Sequence, residues 1–282
     1  MSAMSDSSLK AKAKNLARKS ALSPQEVLQM HMMERLLERF SRSSYADNII
    51  LKGGLLIASL SGVAQRTTRD MDATLTDMDV DEASVRAMME EVCAVSVGDA
   101  VDCELTGIET IREEDEYPGF RAHVRMSFGK IATTVKVDIT TGDAMIPEPT
   151  EYLYEPILGG EVIRVRSYAP ETVLAEKFET VVRRGTLNGR ARDFYDVVLL
   201  TKLKGAALDD DALRAAVEAT VKRRGSEAAL ADYASVLAAV RESEYINHTI
   251  WEPYVRMNPY AASTTIDEAV RTCLSIAERI GL

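Results

Sequence analysis

Two alternating runs placed back to back constrain this chain more than any other feature. Phe120, Ala122, Val124, Met126 and Phe128 alternate with Arg121, His123, Arg125 and Ser127. After Gly129-Lys130, Ile131, Thr133, Val135, Val137 and Ile139 alternate with Ala132, Thr134, Lys136 and Asp138. Successive side chains of a strand point to opposite faces, so each run has one apolar and one polar face. A short connection between them predicts an antiparallel hairpin with Phe128 opposite Ile131. Its apolar face needs a core, which commits the chain to a packed sheet. The same register sets Asp138 opposite Arg121. Asp138 therefore has two readings, a surface ion pair with Arg121 or a site carboxylate held between Val137 and Ile139.

A second stretch carries chemistry. The apolar run Ile49-Ile50-Leu51-Lys52 ends in Gly53-Gly54, and a helical segment follows from Leu55 to Leu60. Arg66-Thr67-Thr68-Arg69 then leads into a strand from Met71 to Leu75 that brings in Asp70 and Asp72. Those two carboxylates share a face and repel unless a cation lies between them. Mg²⁺ is commonly held by one or two carboxylates plus substrate phosphates. Glycines let the backbone approach a triphosphate with its N–H groups forward. Together these features point to metal-assisted nucleotidyl transfer. Taken singly, a glycine pair is a turn and Asp-x-Asp is a solvated edge.

The rest of the chain reads mainly as helix. Residues 1–21 are small, polar and basic, as expected of a solvated helix or frayed tail. Ser23-Pro24-Gln25-Glu26 forms a helix start with a capping box, Leu22 is placed to staple to Val27, and Met30, Met33, Leu37 and Phe40 follow as a core stripe. A helix from about Glu82 buries Val85, Met88, Met89 and Val92. Glu113 to Glu116 is expected to be a solvated acidic loop. Thr140 to Gly160, with three prolines, reads as a loop before a strand from Val162 to Tyr168. Helices then take over, which sets a boundary near Pro170: a sheet domain over 1–169 and a helical domain over 170–282. Pro170 to Arg184 is a helix stopped by Gly185. The next opens on Arg192-Asp193-Phe194-Tyr195-Asp196, with Asp193 and Asp196 on one face. Further helices start at Asp209-Asp210-Asp211, at Ser226 and at the capping box Thr265 to Glu268. Trp251 is expected to pack.

The 282 residues are enough for a real core, and the net charge of −10 removes any global attraction to nucleic acid. RNA contact would need local basic patches, for which Arg183, Arg184, Arg190 and Arg192, and further on Lys222, Arg223 and Arg224, are candidates. Cys93, Cys103 and Cys273 lack metal-ligand spacing and read as reduced, buried thiols. The lysine-bearing N-terminus has no apolar core of a signal peptide, and no apolar run is long enough to span a bilayer, so a cytoplasmic protein is expected.

Gly53-Gly54 followed by Asp70-Met71-Asp72 resembles the signature of polymerase-beta-like nucleotidyltransferases. The fuller wording, Leu51-Lys52-Gly53-Gly54 with Arg66 to Asp72, is similar to the AbiEii/AbiGii toxin family, which includes the MenT-type toxins. Two later motifs of that family are matched by Thr172, Lys177 and Arg184, and by Arg192, Asp193 and Asp196. Thr180 stands where the family usually has alanine. The resemblance implies an α/β (α+β) protein, with a nucleotidyltransferase sheet, flanking helices and a C-terminal helical lobe that completes the active site. It implies transfer of NMP from an NTP to an acceptor, the tRNA 3′ end foremost. Asp70, Asp72, Lys177 and Asp193 would be catalytic. Gly53, Gly54, Arg66, Thr68 and Lys177 would bind nucleotide, and Asp70, Asp72 and Asp138 would hold Mg²⁺ or Mn²⁺. It also implies a cognate antitoxin as partner and a role in abortive infection. A small-molecule or protein acceptor, or a silent partner-binding fold, remains open at this point.

Overall fold

The computed structural model describes residues 5–20, 22–62, 65–111 and 119–282. They divide into two units, Met1–Gly142 with Thr150–Ser167, and Asp143–Pro149 with Tyr168–Leu282. The first unit runs α1 (Asp6–Ala17), α2 (Pro24–Ser41), β1 (Ile49–Lys52), α3 (Gly53–Ser61), β2 (Asp70–Leu75), α4 (Glu82–Ala94), β3 (Asp102–Ile111), β4 (Gly119–Phe128), β5 (Ile131–Thr141), β6 (Thr150–Tyr154) and β7 (Ile163–Ser167). Its strands make one mixed sheet in the order β3-β4-β5-β2-β1-β7-β6.

The β4–β5 hairpin has the expected register, Phe128 opposite Ile131 and Arg121 opposite Asp138. Its apolar residues are buried together with Met71, Ala73 and Leu75 of β2. Helices α2 and α4 pack on this assembly. The four predicted residues of α4 are the ones it buries, while α2 buries His31, Met32, Glu34, Leu36, Glu38 and Arg39 as well as its predicted stripe. The reciprocal capping box of Ser23 and Glu26 starts α2, fixing where its first turn lies.

Several expectations are corrected. Helix α1 is not fully solvated: Leu9 and Ala13 are buried where it packs on α2, and its lysines face outward. The stretch 140–160 is not all loop, because β6 lies between its prolines and pairs antiparallel with β7. Strand β3 had no counterpart in the sequence reading; it is an edge strand with a register shift between Leu105 and Gly107, which breaks its alternation. Cys93 and Cys103 are partly exposed and hydrogen-bonded to each other where α4 meets this open edge, whereas Cys273 is buried. Glu113 to Glu116 lie outside the described residues.

The second unit contains α5 (Pro170–Arg184), α6 (Ala191–Lys204), α7 (Asp210–Arg224), α8 (Glu227–Ala231), α9 (Tyr233–Glu242), α10 (Glu252–Met257) and α11 (Ile266–Arg279). Helix α5 packs against α6 and α7, and α11 against α6 and α9. Trp251 is buried beside Tyr254, with Tyr195 and Tyr260 in ring contact nearby, so it packs as expected.

One buried ion pair anchors α2 in the first unit. The Arg39 guanidinium donates to both Asp99 carboxylate oxygens, at 2.7 and 3.1 Å, and to the Val101 carbonyl at 2.7 Å. Asp99→Ala strands a buried cation, so a loss of about 3 kcal/mol in denaturant unfolding is expected. A loss below about 1 kcal/mol would show that the pair is not an anchor.

Candidate active site

Lys52, Asp72, Asp138, Arg121 and Glu109 stand in one row across five strands. The ladder pairs Lys52 with Asp72, Asp72 with Asp138, Asp138 with Arg121 and Arg121 with Glu109. Directly paired residues of neighbouring strands lie on the same face, roughly 5 Å apart. Asp70 is two residues before Asp72 and is paired with Lys136. Three carboxylates thus crowd one patch of the polar face. Asp70 shows the cost: its pKa is raised, first by burial and then by the charges of Asp138 and Asp72, against the pull of Lys136 and Arg121.

The surroundings partly relieve this crowding. Arg121 grips Asp138 through Nε and Nη2 at 2.6 and 2.8 Å, and that grip raises the arginine's own pKa. Asp138 is thus ion-paired to Arg121, as one of its two readings had it, and its ladder partner on β2 is Asp72. Asp72 accepts a hydrogen bond from the Gly54 N–H at 3.1 Å, at the first turn of α3. Gly53 has a φ of 61°, and a Cβ there would overlap the Asp72 carboxylate. At Gly54 a Cβ would come within 2.5 Å of the Thr68 hydroxyl. Thr68 in turn donates to the Asp70 carbonyl at 3.0 Å. Both glycines are thus required by closeness to the carboxylate strand. Arg66, expected as a phosphate contact, is buried beneath this turn and bonds to the Thr67 carbonyl. Lys52, given no role from the sequence, is buried and donates to Thr140 at 2.7 Å.

Among the described residues, no three His, Cys, Asp or Glu side chains form a ready-made metal cage. The donors that are present still fit a hard cation. Asp70 and Asp72 offer carboxylate oxygens on one face, and the pKa of Asp70 is raised first by burial and then by the charges of Asp138 and Asp72. Asp138 adds to that charge, with its oxygens engaged by Arg121.

In the second unit, Lys177 of α5 bridges two carboxylates of α6. Its Nζ lies 2.8 Å from Asp193 and 3.1 Å from Asp196, whose side chains are 3% and 0% exposed. The i,i+3 spacing of Asp193 and Asp196 makes this possible. Arg190 approaches Asp193 at 3.8 Å. Arg184 is held below its usual pKa by burial and by the nearby cations Arg190 and Arg183. Arg192 is half-buried. Two members of the expected RNA patches are committed elsewhere: Arg183 pairs with the buried Glu179 at 2.7 Å, and Arg224 pairs with Glu179 and Glu176. Arg183 is thus engaged by an i,i+4 pair within α5 and Arg224 by ion pairs from α7 to α5.

The family model for the nucleotidyl transferase AbiEii toxin of type IV toxin–antitoxin systems matches residues 35–274. The chain belongs to the AbiEii family. Membership makes it a nucleotidyltransferase of a toxin–antitoxin pair, with an NTP substrate and an antitoxin partner. Among solved structures it is similar to JHP933 from Helicobacter pylori, at 16% identity and a TM-score of 0.50, covering 92% of this chain and 95% of that one. A protein from H. pylori described as a candidate nucleotidyltransferase matches at 17% identity and a TM-score of 0.50, covering 92% and 98%. At these identities the likeness shows the fold, a mixed α/β architecture as expected. No curated protein matches the sequence. No helix among the described residues is long and apolar enough to cross a membrane.

Two predictions follow from the geometry. Gly53→Ala forces both a left-handed backbone and an overlap with Asp72, so a loss of about 1–3 kcal/mol is expected in denaturant unfolding. Lys177→Ala leaves two buried carboxylates without their cation and is expected to cost about 3 kcal/mol. The double variant Lys177→Ala with Asp193→Asn should recover part of that loss. Additive losses would show that the two residues do not act as a pair.

Proposed function

We propose that this chain transfers a nucleoside monophosphate from an NTP to a hydroxyl at the tRNA 3′ end, releasing pyrophosphate. The observation that carries this reading is the crowding of Asp70, Asp72 and Asp138 beside the Gly53-Gly54 turn. Such a cluster is costly for a fold unless a substrate-borne cation relieves it. Mg²⁺, or Mn²⁺, held by Asp70 and Asp72 would polarise the α-phosphate and offset charge on the leaving pyrophosphate. The Gly53-Gly54 turn, which carries no side chain and lies against Thr68, lets a triphosphate approach the backbone closely. Arg66, from beneath, keeps a positive charge under that turn. Asp138, held by Arg121, would add its charge to the metal-binding patch beside Asp72. Lys177 neutralises charge developing on the phosphates, and Asp193 with Asp196 sets the direction of its ammonium. Arg184 and Arg192 add cations at the second pair of motifs. The reaction belongs in the cytoplasm, where blocking tRNA would halt growth and limit phage spread until an antitoxin intervenes.

Incubation with labelled NTPs, Mg²⁺ and total RNA tests this directly. Label should enter tRNA, and Asp72→Asn should lower the rate by at least about a hundredfold with its fold intact. Expression of the wild-type chain should slow bacterial growth, and Asp72→Asn should not. Label on protein or on a small molecule would replace the acceptor. Near-normal turnover by Asp72→Asn would refute the metal assignment.

A further inference from the structure

Two of the cysteines meet where α4 reaches the open edge of the sheet. Cys93 stands in the last turn of α4 and Cys103 near the start of β3, and both are free thiols, partly exposed. Their side chains are hydrogen-bonded to each other. Helix α4 packs on β3, and the loop 95–101 between them is clasped by Arg39, which donates to Asp99 and to the Val101 carbonyl, each at 2.7 Å. Val101 comes just before the strand, so the clasp helps to set the start of β3 against the end of α4.

This arrangement is close to that of a covalent bridge. A hydrogen-bonded thiol pair has on the order of 2 Å left to close before an S–S bond of about 2 Å forms. Both cysteines stand at the ends of their elements, where a backbone yields most readily. Strand β3 is paired on one side only, to β4, and its ladder shifts between Leu105 and Gly107. The closing movement therefore falls on the part of the sheet with the fewest constraints.

The two thiols are not equivalent. The hydrogen bond from Cys103 lowers the Cys93 pKa; burial opposes this, and the Arg39 guanidinium assists it. The same hydrogen bond, together with burial, raises the Cys103 pKa. Cys273 of α11 is wholly buried, and burial pushes its thiol up to about 12. An accessible thiolate beside a second thiol is the reactive arrangement, whereas a buried thiol in apolar surroundings is inert.

We infer that Cys93 and Cys103 are a modification site, at which a hydroperoxide forms a reversible disulfide that staples α4 to the free edge strand. The Cys93 thiolate attacks a peroxide oxygen. The S–O bond forms as the O–O bond breaks, and the departing oxygen takes up a proton to leave as water or an alcohol. The Cys103 sulfur then attacks the sulfenic sulfur. The S–S bond forms, the S–O bond breaks, and the hydroxide released takes the Cys103 proton and leaves as water. Two thiols lose two electrons and the peroxide gains them. The bridge closes a short ring around Asp99 and Val101, which restrains the unfolded chain and reinforces the hold of Arg39 on that loop. None of the residues involved has a part in the transferase reading.

The test uses the full-length protein, reduced and then freed of reductant. It is treated with a few equivalents of hydrogen peroxide, and the remaining thiols are blocked with N-ethylmaleimide after denaturation. Peptide mass spectrometry should find Cys93 joined to Cys103 with loss of two hydrogens, at least about tenfold faster than any oxidation of Cys273. Dithiothreitol should restore both thiols. The oxidised protein should melt about 3–6 °C higher than the reduced one. In Cys103→Ser, Cys93 should stop at the sulfenic acid and be captured by dimedone, while in Cys93→Ser the Cys103 thiol should stay reduced. Both variants, checked for an unchanged circular dichroism spectrum, should lose the rise in melting temperature. Sulfinic acids on separate thiols, a bridge between two chains, or a disulfide that forms only in denaturant would each overturn the site. An oxidised protein that melts at or below the reduced one would overturn the staple, and dimedone on Cys103 in Cys93→Ser would overturn Cys93 as the attacking thiol.

Discussion

Asp72 and Asp138 lie one strand apart, and like charges at that spacing must be offset from the sides. On one flank the offset is Arg121, whose two nitrogens take both oxygens of Asp138. On the other it is the first turn of α3, where the Gly54 N–H points at Asp72. A helix start carries partial positive charge, so the turn contributes electrostatically as well as by its hydrogen bond. The glycine pair, the position of α3 and the row of charges through Lys52 and Glu109 therefore form one solution to one problem. Asp70, beside this row, has its pKa raised by burial and, after that, by the charges of Asp138 and Asp72.

The second unit solves a related problem by burial. Lys177, Asp193 and Asp196 are a cation between two carboxylates that are almost wholly out of water. A buried ion set of this kind adds little stability over an apolar replacement, but losing one member is expensive. Such a set is a poor choice for stability alone. It does hold the Lys177 ammonium in a fixed direction.

Legibility followed sequence distance. The β4–β5 hairpin, α4 and the capping box of α2 were readable because their determinants are neighbours in the chain. Asp70, Asp72 and the glycines were readable as a motif, but from the residues alone Asp138 could be placed beside them only as one of two readings. Its place there depends on the parallel pairing of β2 with β5, a contact no local pattern encodes. The two strands that went unread, β3 and β6, sit at the edges of the sheet, where half-exposed positions blur the alternation. Arg66 sits within the motif, and only the tertiary structure buries it. That Lys177 meets both Asp193 and Asp196 was not legible, since a shared helix face says nothing about what crosses from the next helix.

The chain passes between its two units three times, after Gly142, after Pro149 and after Ser167. The short excursion of 143–149 is not a passive crossover, because its Ile146 carbonyl accepts a hydrogen bond from Thr172 of α5 at 2.8 Å. No single cut releases either unit whole. A fragment ending before Tyr168 would keep a seven-residue piece of the other unit's fabric, and one beginning there would lack it. For such a chain, truncation and recombination at any one point act on both units at once, so neither can be lost or exchanged by a single break.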